Sequence, residues 1–173
     1  MKIKHKERHR WTPDFPVIPQ LLATSFGAGF LPLAPGTWGA LVGILVWLPF
    51  YIFCSPYVIL IATSALVIFF TVAGGYASDI AEEYWDTDPV EACVDETAGQ
   101  LLSLLPMWFV HWQQGWWMIL VSLALFRFFD IFKPLGIRSM EKLPGSAGMM
   151  ADDLLAGIYT LIIVMTMNYF IFL

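Results

Sequence analysis

Apolar residues in this chain gather into long runs, and polar residues gather into the breaks between them. The cleanest run covers residues 57–77. It meets the roughly 20 residues a helix needs to cross about 30 Å of hydrocarbon. Ser55-Pro56 separates it from a shorter run at 39–53, which Thr37 and Trp38 can extend. Further runs follow at 97–111, interrupted by Pro106, at 116–129 and at 154–173. Residues 21–38 are also apolar, but Gly27, Gly29, Pro32, Pro35 and Gly36 break them. Irregular backbone is tolerated at membrane depth only against protein or a wet cavity. That segment therefore predicts a short helix followed by a turn, or a re-entrant or interfacial element. The pattern as a whole predicts an all-α, polytopic integral membrane protein with about four to five transmembrane helices. It reads as a single domain over 1–173, with 1–20 as a basic head.

Composition sharpens this picture. Hydrophobic residues make up 58% of the chain and charged residues 13%. The charged share is about half that of a typical soluble protein, which leaves little room for a soluble domain beside the spans. Cys54 and Cys93 frame neither a disulfide scaffold nor a zinc site, and no secretory signal pattern is expected at the start. Lys2, Lys4, Lys6, Arg8 and Arg10 form the basic head, read as a topology signal or an attraction to anionic lipid headgroups. The next cation is Arg127, followed by Lys133, Arg138 and Lys142. The turns at 54–56 and 111–115 carry no Lys or Arg. The excess of cations on inner loops therefore puts the N-terminus and the stretches 78–96 and 130–153 in the cytoplasm, with about five crossings and the C-terminus outside.

On that topology, three acidic clusters share one side. Asp95-Glu96 precede the run at 97–111, Asp152-Asp153 precede the last run, and Asp130 sits between Arg127 and Lys133. Each has a structural reading. Acids stabilise helix starts through the dipole or as N-caps, and the spacing of three in Arg127, Asp130 and Lys133 suits a salt-bridge ladder. The functional reading is a divalent-metal site with cations for phosphate, because ionisable groups at a membrane boundary are costly unless paired, hydrated or bound to metal. Pro35-Gly36-Thr37 opens a helix that could bind an anion through its N–H groups, or simply start well. Asp79, Glu82, Glu83, Asp86, Asp88 and Glu91 read as a solvated acidic face, with Asp88, in Asp88-Pro89, the exception near the Asp95 pair. His5, His9 and His111 lie apart from the acids, so no nucleophilic triad assembles.

Four blocks together resemble one family. They are FGAGFLPLAPGTWGAL at 26–41, VDETAGQ at 94–100, FRFFDIFKPLGIR at 126–138 and GSAGMMADDLLAG at 145–157. Their content, order and spacing resemble the phosphatidylglycerophosphatase A family. The resemblance implies a bacterial inner-membrane lipid phosphatase that uses Mg²⁺ and converts phosphatidylglycerophosphate into phosphatidylglycerol. By motif it implies Asp95, Glu96, Asp130, Asp152 and Asp153 as metal-binding and catalytic acids, with Asp88 as a looser metal candidate. Lys133 matches a catalytic and phosphate-binding position, and Thr37, Arg127 and Arg138 match phosphate-binding ones. The implied partners are the lipid substrate and membrane lipids, not nucleic acid. Two rivals fit part of the pattern. An ion-coupled transporter would keep acids among its spans, but no internal repeat is visible. A membrane phosphotransferase would cluster Asp around Mg²⁺, but its longer signature is missing.

Overall fold

The computed structural model describes residues 8–85 and 89–172, so Lys2, Lys4, Lys6, His5, Asp86 and Asp88 lie outside the described residues. Every regular element among the described residues is helical. Four helices are long and apolar enough to cross a membrane: α2 (Pro35–Phe53), α3 (Pro56–Tyr84), α5 (Trp112–Phe132) and α7 (Ser146–Phe172). The short helix α1 (Val17–Ala23) precedes them, and α4 (Val94–Ser103) and α6 (Ile137–Met140) lie between them in the chain. Pro35 and Pro56 stand in the first turns of α2 and α3, where a missing N–H costs nothing.

The run at 97–111 is not a spanning helix. It forms α4, only about 15 Å long at 1.5 Å per residue, followed by the 3₁₀ turn Leu105–Phe109 that Pro106 opens. The segment still carries the chain from one end of the bundle to the other. The turn at Val110–His111 lines a small cavity together with Cys54 and Pro56 from the α2–α3 turn. It can be short and irregular because it runs through protein rather than lipid. α2, α3, α5 and α7 all pack around it, and Ala98, Leu101, Leu104 and Met107 are fully buried. Its approach to α7 is set by a glycine pair. A Cβ on Gly157 would stand 2.6 Å from the Gly99 carbonyl oxygen, and one on Gly99 would stand 2.6 Å from that of Asp153.

The broken segment at 21–38 becomes the expected short helix and turn. After α1, Ser25, Phe26 and Gly27 all take left-handed backbone, then a 3₁₀ turn spans Ala28–Phe30. Phe15 and Ala23 pack on Ala77, Ala81 and Trp85, so the segment lies across one end of α3. It also anchors α4. The Cys93 N–H donates to the Ala23 carbonyl at 2.9 Å, and Ser25 Oγ donates to the Cys93 carbonyl at 3.0 Å. Thr97 Oγ1 donates to the Gly39 carbonyl at 2.8 Å.

Two expectations about the acids change here. Asp152-Asp153 do not cap the last helix, because α7 starts at Ser146 and holds them in its second turn. The cap comes from another helix: Asp79 Oδ1 accepts the Ser146 N–H at 3.0 Å. The face read as solvated is not uniformly so either. Asp79 does this capping, and Glu91 is fully buried, accepting the His9 N–H at 2.9 Å and lying 3.6 Å from Arg8 Nε. Arg8 also donates to the carbonyls of Gly29 and Leu31, at 3.0 and 2.8 Å. The end of the basic head is thereby tied to two loops.

Candidate active site at the acid end of the bundle

A polar cavity of about 460 Å³ opens at the end of α4, and all three acidic clusters line it. Asp95 and Glu96 occupy the first turn of α4, where adjacent side chains can still converge. Asp153 reaches them from α7, and carboxylate oxygens of Asp95, Glu96 and Asp153 lie within 4.8 Å of one another. Asp152 points elsewhere, as the roughly 100° step between neighbours on a helix requires. It bonds Lys133 Nζ, which also donates to Glu141 Oε1 at 2.7 Å. Arg127 Nη1 stands 2.5 Å from Asp130 Oδ2 and 3.7 Å from Glu96 Oε1.

The expected ladder of Arg127, Asp130 and Lys133 is therefore split. Arg127 and Asp130 pair one turn apart on α5. Lys133 ends the helix in left-handed backbone, φ 46°, and turns across to α7. Gly36 lets α2 join the site, because a side chain there would collide with Glu96 and Arg127.

Charge is unbalanced in this space. Seven carboxylates, Glu82, Asp95, Glu96, Asp130, Glu141, Asp152 and Asp153, line it with the cations Arg127 and Lys133. Burial pushes the Asp95 carboxyl well above its ordinary range, and the nearby charges of Glu96 and Asp153 push it further. Burial also raises Glu96, against the lowering effect of its bond with Asp95 and the charge of Arg127. For Lys133, burial favours the neutral amine. The bonds to Asp152 and Glu141 outweigh it and raise its pKa, so it is an ammonium. Glu96 Oε2 and Asp153 Oδ1 are buried without a hydrogen-bond partner among the described residues. Converging, unsatisfied carboxylate oxygens fit a hard divalent cation, which takes oxygen ligands.

The cavity omits some expected residues and recruits others. Thr37 is half-buried beside the site but does not line it, because Gly36 takes the inward direction one residue earlier. Arg138 is exposed on α6, where its neighbour Ile137 takes the buried position. His111 sits at the opposite end, as expected. Glu82 and Glu141 line the cavity without having been singled out for it. Glu141 lies between Arg138 and Lys142 in a Pro/Gly-rich loop, so no spacing signal marked it.

A helical membrane protein with a carboxylate-rich, cation-edged cavity at one end of its bundle has the groups of a membrane enzyme that handles phosphate esters. Comparison with known proteins makes this specific. Residues 21–168 match the family described as Phosphatidylglycerophosphatase A, and the chain belongs to that family. It is thus a phosphatase, and its apolar helices make it a membrane protein. It is 36% identical over 150 residues to the Haemophilus influenzae protein named Phosphatidylglycerophosphatase A, covering 86% of this chain and 88% of that one. The Escherichia coli protein of the same name is 29% identical over 144 residues, with 80% and 76% covered. A Bacteroides thetaiotaomicron protein named "Putative phosphatidylinositol-3-phosphatase" is 43% identical over 153 residues, with 88% and 93% covered. No solved structure matches the chain.

Proposed function

We propose that this protein hydrolyses the terminal phosphomonoester of phosphatidylglycerophosphate, giving phosphatidylglycerol and inorganic phosphate, with Mg²⁺ as its cofactor. The observation that carries this reading is the convergence of Asp95, Glu96 and Asp153 within 4.8 Å, in a cavity that also holds Arg127 and Lys133. Asp95, Glu96 and Asp153 would hold the ion, and when bound it would polarise the phosphate and favour an attacking water. Lys133 and Arg127 neutralise charge that builds on the phosphoryl oxygens. Asp152 and Asp130 keep those two cations in place. The bond from phosphorus to the glycerol oxygen breaks as the bond to the water oxygen forms. A cavity carboxylate takes the water's proton and returns it to the leaving glycerol alkoxide. The described lining holds no histidine for a phosphohistidine route, which leaves water, or a cavity aspartate forming an aspartyl-phosphate, as the nucleophile. The cavity faces the cytoplasm on this reading, because the cations gather at its end of the chain, and the membrane is the bacterial inner membrane.

The test is phosphate release by purified protein in mixed micelles, with Mg²⁺ and with EDTA, beside Asp95→Asn and Asp153→Asn. Turnover that needs Mg²⁺ and collapses in both variants supports the reading. Well-folded protein without turnover on phosphatidylglycerophosphate sinks it. The name of the 43% identical relative motivates a second substrate arm, a phosphoinositide 3-phosphate, whose reactive group is also a phosphomonoester. Preferential turnover of that lipid would move the substrate assignment while leaving the chemistry in place.

A further inference from the structure

The walls of the polar cavity are not equally closed. α1 and the 3₁₀ turn after it cover the side between α2 and α3. α6 covers the side between α5 and α7, where Ile137 packs with Phe126, Phe129 and Ala156. The bond from the Ser146 N–H to Asp79 ties α3 to α7. The side between α2 and α5 carries no added element among the described residues. There the start of α2 meets the last turns of α5, with Gly36 set directly against Arg127 and Glu96.

Two loops flank this edge, and they are built alike. Leu33 adjoins cavity-lining Ala34, and Leu135 follows cavity-lining Lys133 by two residues. Both leucines hold left-handed backbone, φ 63° and 53°. That conformation is unfavourable for an L-residue other than glycine, asparagine or aspartate. Both project into the surroundings, 85% and 76% exposed. An aromatic side chain pins each one by its carbonyl. Trp38 Nε1 donates to Leu33 at 3.0 Å, and Tyr159 Oη donates to Leu135 at 2.9 Å. Ile131, 62% exposed, stands one turn beyond Arg127 on the same face of α5. Phe26 shares this backbone and exposure elsewhere, but only here does the strain flank the polar cavity on both sides, which motivates a functional reading of the edge.

We infer that this α2–α5 edge is the lateral portal through which the acyl chains of a glycerophospholipid substrate leave the cavity for the leaflet. Leu33, Ile131 and Leu135 lie against their first methylenes. The inference rests on the lipid-phosphatase reading and names the part of the substrate that the polar cavity leaves unbound.

The test compares long-chain phosphatidylglycerophosphate in mixed micelles with a short-chain, water-soluble form. The variant is Leu33→Asn with Leu135→Asn, chosen because asparagine tolerates positive φ. KM for the long-chain lipid, in surface concentration, should rise about tenfold, the scale of losing apolar contact at two leucines. Both kinetic constants on the short-chain form should stay within about twofold. An unchanged long-chain KM, or an equal loss on both substrates, overturns the portal.

A second readout does not depend on turnover. Phosphatidic acid carrying a photoactivatable group near its acyl carbonyls, in phosphatidylcholine vesicles, should label residues 31–35 and 128–136. Excess short-chain phosphatidic acid should suppress that label. Labelling spread evenly over the lipid-facing helices, with no competition, overturns the portal. Wild-type protein inactive on both phosphatidylglycerophosphate forms overturns the hydrolase reading, and the competed label still decides the portal.

Discussion

The two ends of the bundle hold cavities of similar size and opposite chemistry. At the acid end, about 460 Å³ is lined by carboxylates and cations. At the turn end, about 500 Å³ is lined by Trp108, Phe109, Met165, Thr166 and Tyr169, almost entirely through apolar surface. Both halves also bury polar side chains, but they treat them differently. Towards the turn end the partners are neutral. Asn168 Nδ2 donates to the Pro106 carbonyl at 3.1 Å, and Trp47 Nε1 donates to Thr63 Oγ1 at 2.8 Å. At the acid end, carboxylates outnumber cations and two of their oxygens stay unpaired. A fold selected for stability alone would remove such groups, since each unsatisfied buried polar atom costs about 1–3 kcal/mol. Tyr51 Oη and Asn168 Oδ1 are unpaired towards the turn end as well, so it is the gathering of carboxylates, rather than unpaired atoms alone, that locates the chemistry at the acid end.

The sharpest way to break this contrast is to neutralise one acid at each step. Asp95→Asn or Asp153→Asn should cut phosphate release by about 10³-fold or more. Melting of the metal-free protein in detergent should hold or rise, because a repelling charge is gone. Asn168→Ala should do the reverse, leaving turnover intact and costing about 1–2 kcal/mol of stability. Activity surviving in both Asp variants would move the site elsewhere.

The joint between the two ends is the α4–α7 contact. Gly99→Ala puts a methyl group 2.6 Å from the Asp153 carbonyl and from the Phe126 ring. It should cost about 2 kcal/mol through overpacking and lower activity by displacing Asp153. A thermal melt paired with a rate measurement checks both effects.

pH and metal separate the ends further. The raised carboxyls of Asp95 and Glu96 contribute stability while they are protonated in the fold. That contribution is complete below the ordinary carboxylate range and is lost as pH rises through their raised values. Metal-free protein should therefore melt lower at high pH. Mg²⁺ should raise the melting temperature most there, since the ligands bind it deprotonated. A melting temperature independent of both pH and Mg²⁺ would remove the ion from the site.

The smallest expected effect concerns Glu141, which holds Lys133 from an exposed position. Glu141→Gln should free Lys133 for phosphate and tighten product inhibition by inorganic phosphate about threefold, within the range expected of a solvent-exposed ion pair. Inhibition constants measured side by side would show it, and weaker inhibition would give Glu141 a supporting role instead.

Much of this was legible along the chain. Long apolar runs in a membrane can only be satisfied as helices, so 57–77 and 154–173 were visible as spans, and the shorter 39–53 and 116–129 as spans that flanking residues extend. Asp95, Glu96, Asp130, Lys133, Asp152 and Asp153 stood out because charge is rare in such a sequence. The structure brings all six into one cavity. The run at 97–111 misled, since apolar composition does not reveal whether lipid or protein surrounds a segment. Glu91 misled for the matching reason. Nothing local distinguishes a solvated acid from one buried against Arg8 and the His9 backbone, 82 residues earlier.

What the sequence determined by itself was therefore the list of helices, and the set of charges too costly to keep near a membrane without purpose. Tertiary structure decided which carboxylates face one another. It turned Asp153 toward Asp95 and Glu96 and Asp152 toward Lys133, and it set Gly36 rather than Thr37 against the site. The physical reason is that direction around a helix advances by about 100° per residue. A side chain's partner thus depends on where neighbouring helices stand, and only packing fixes that.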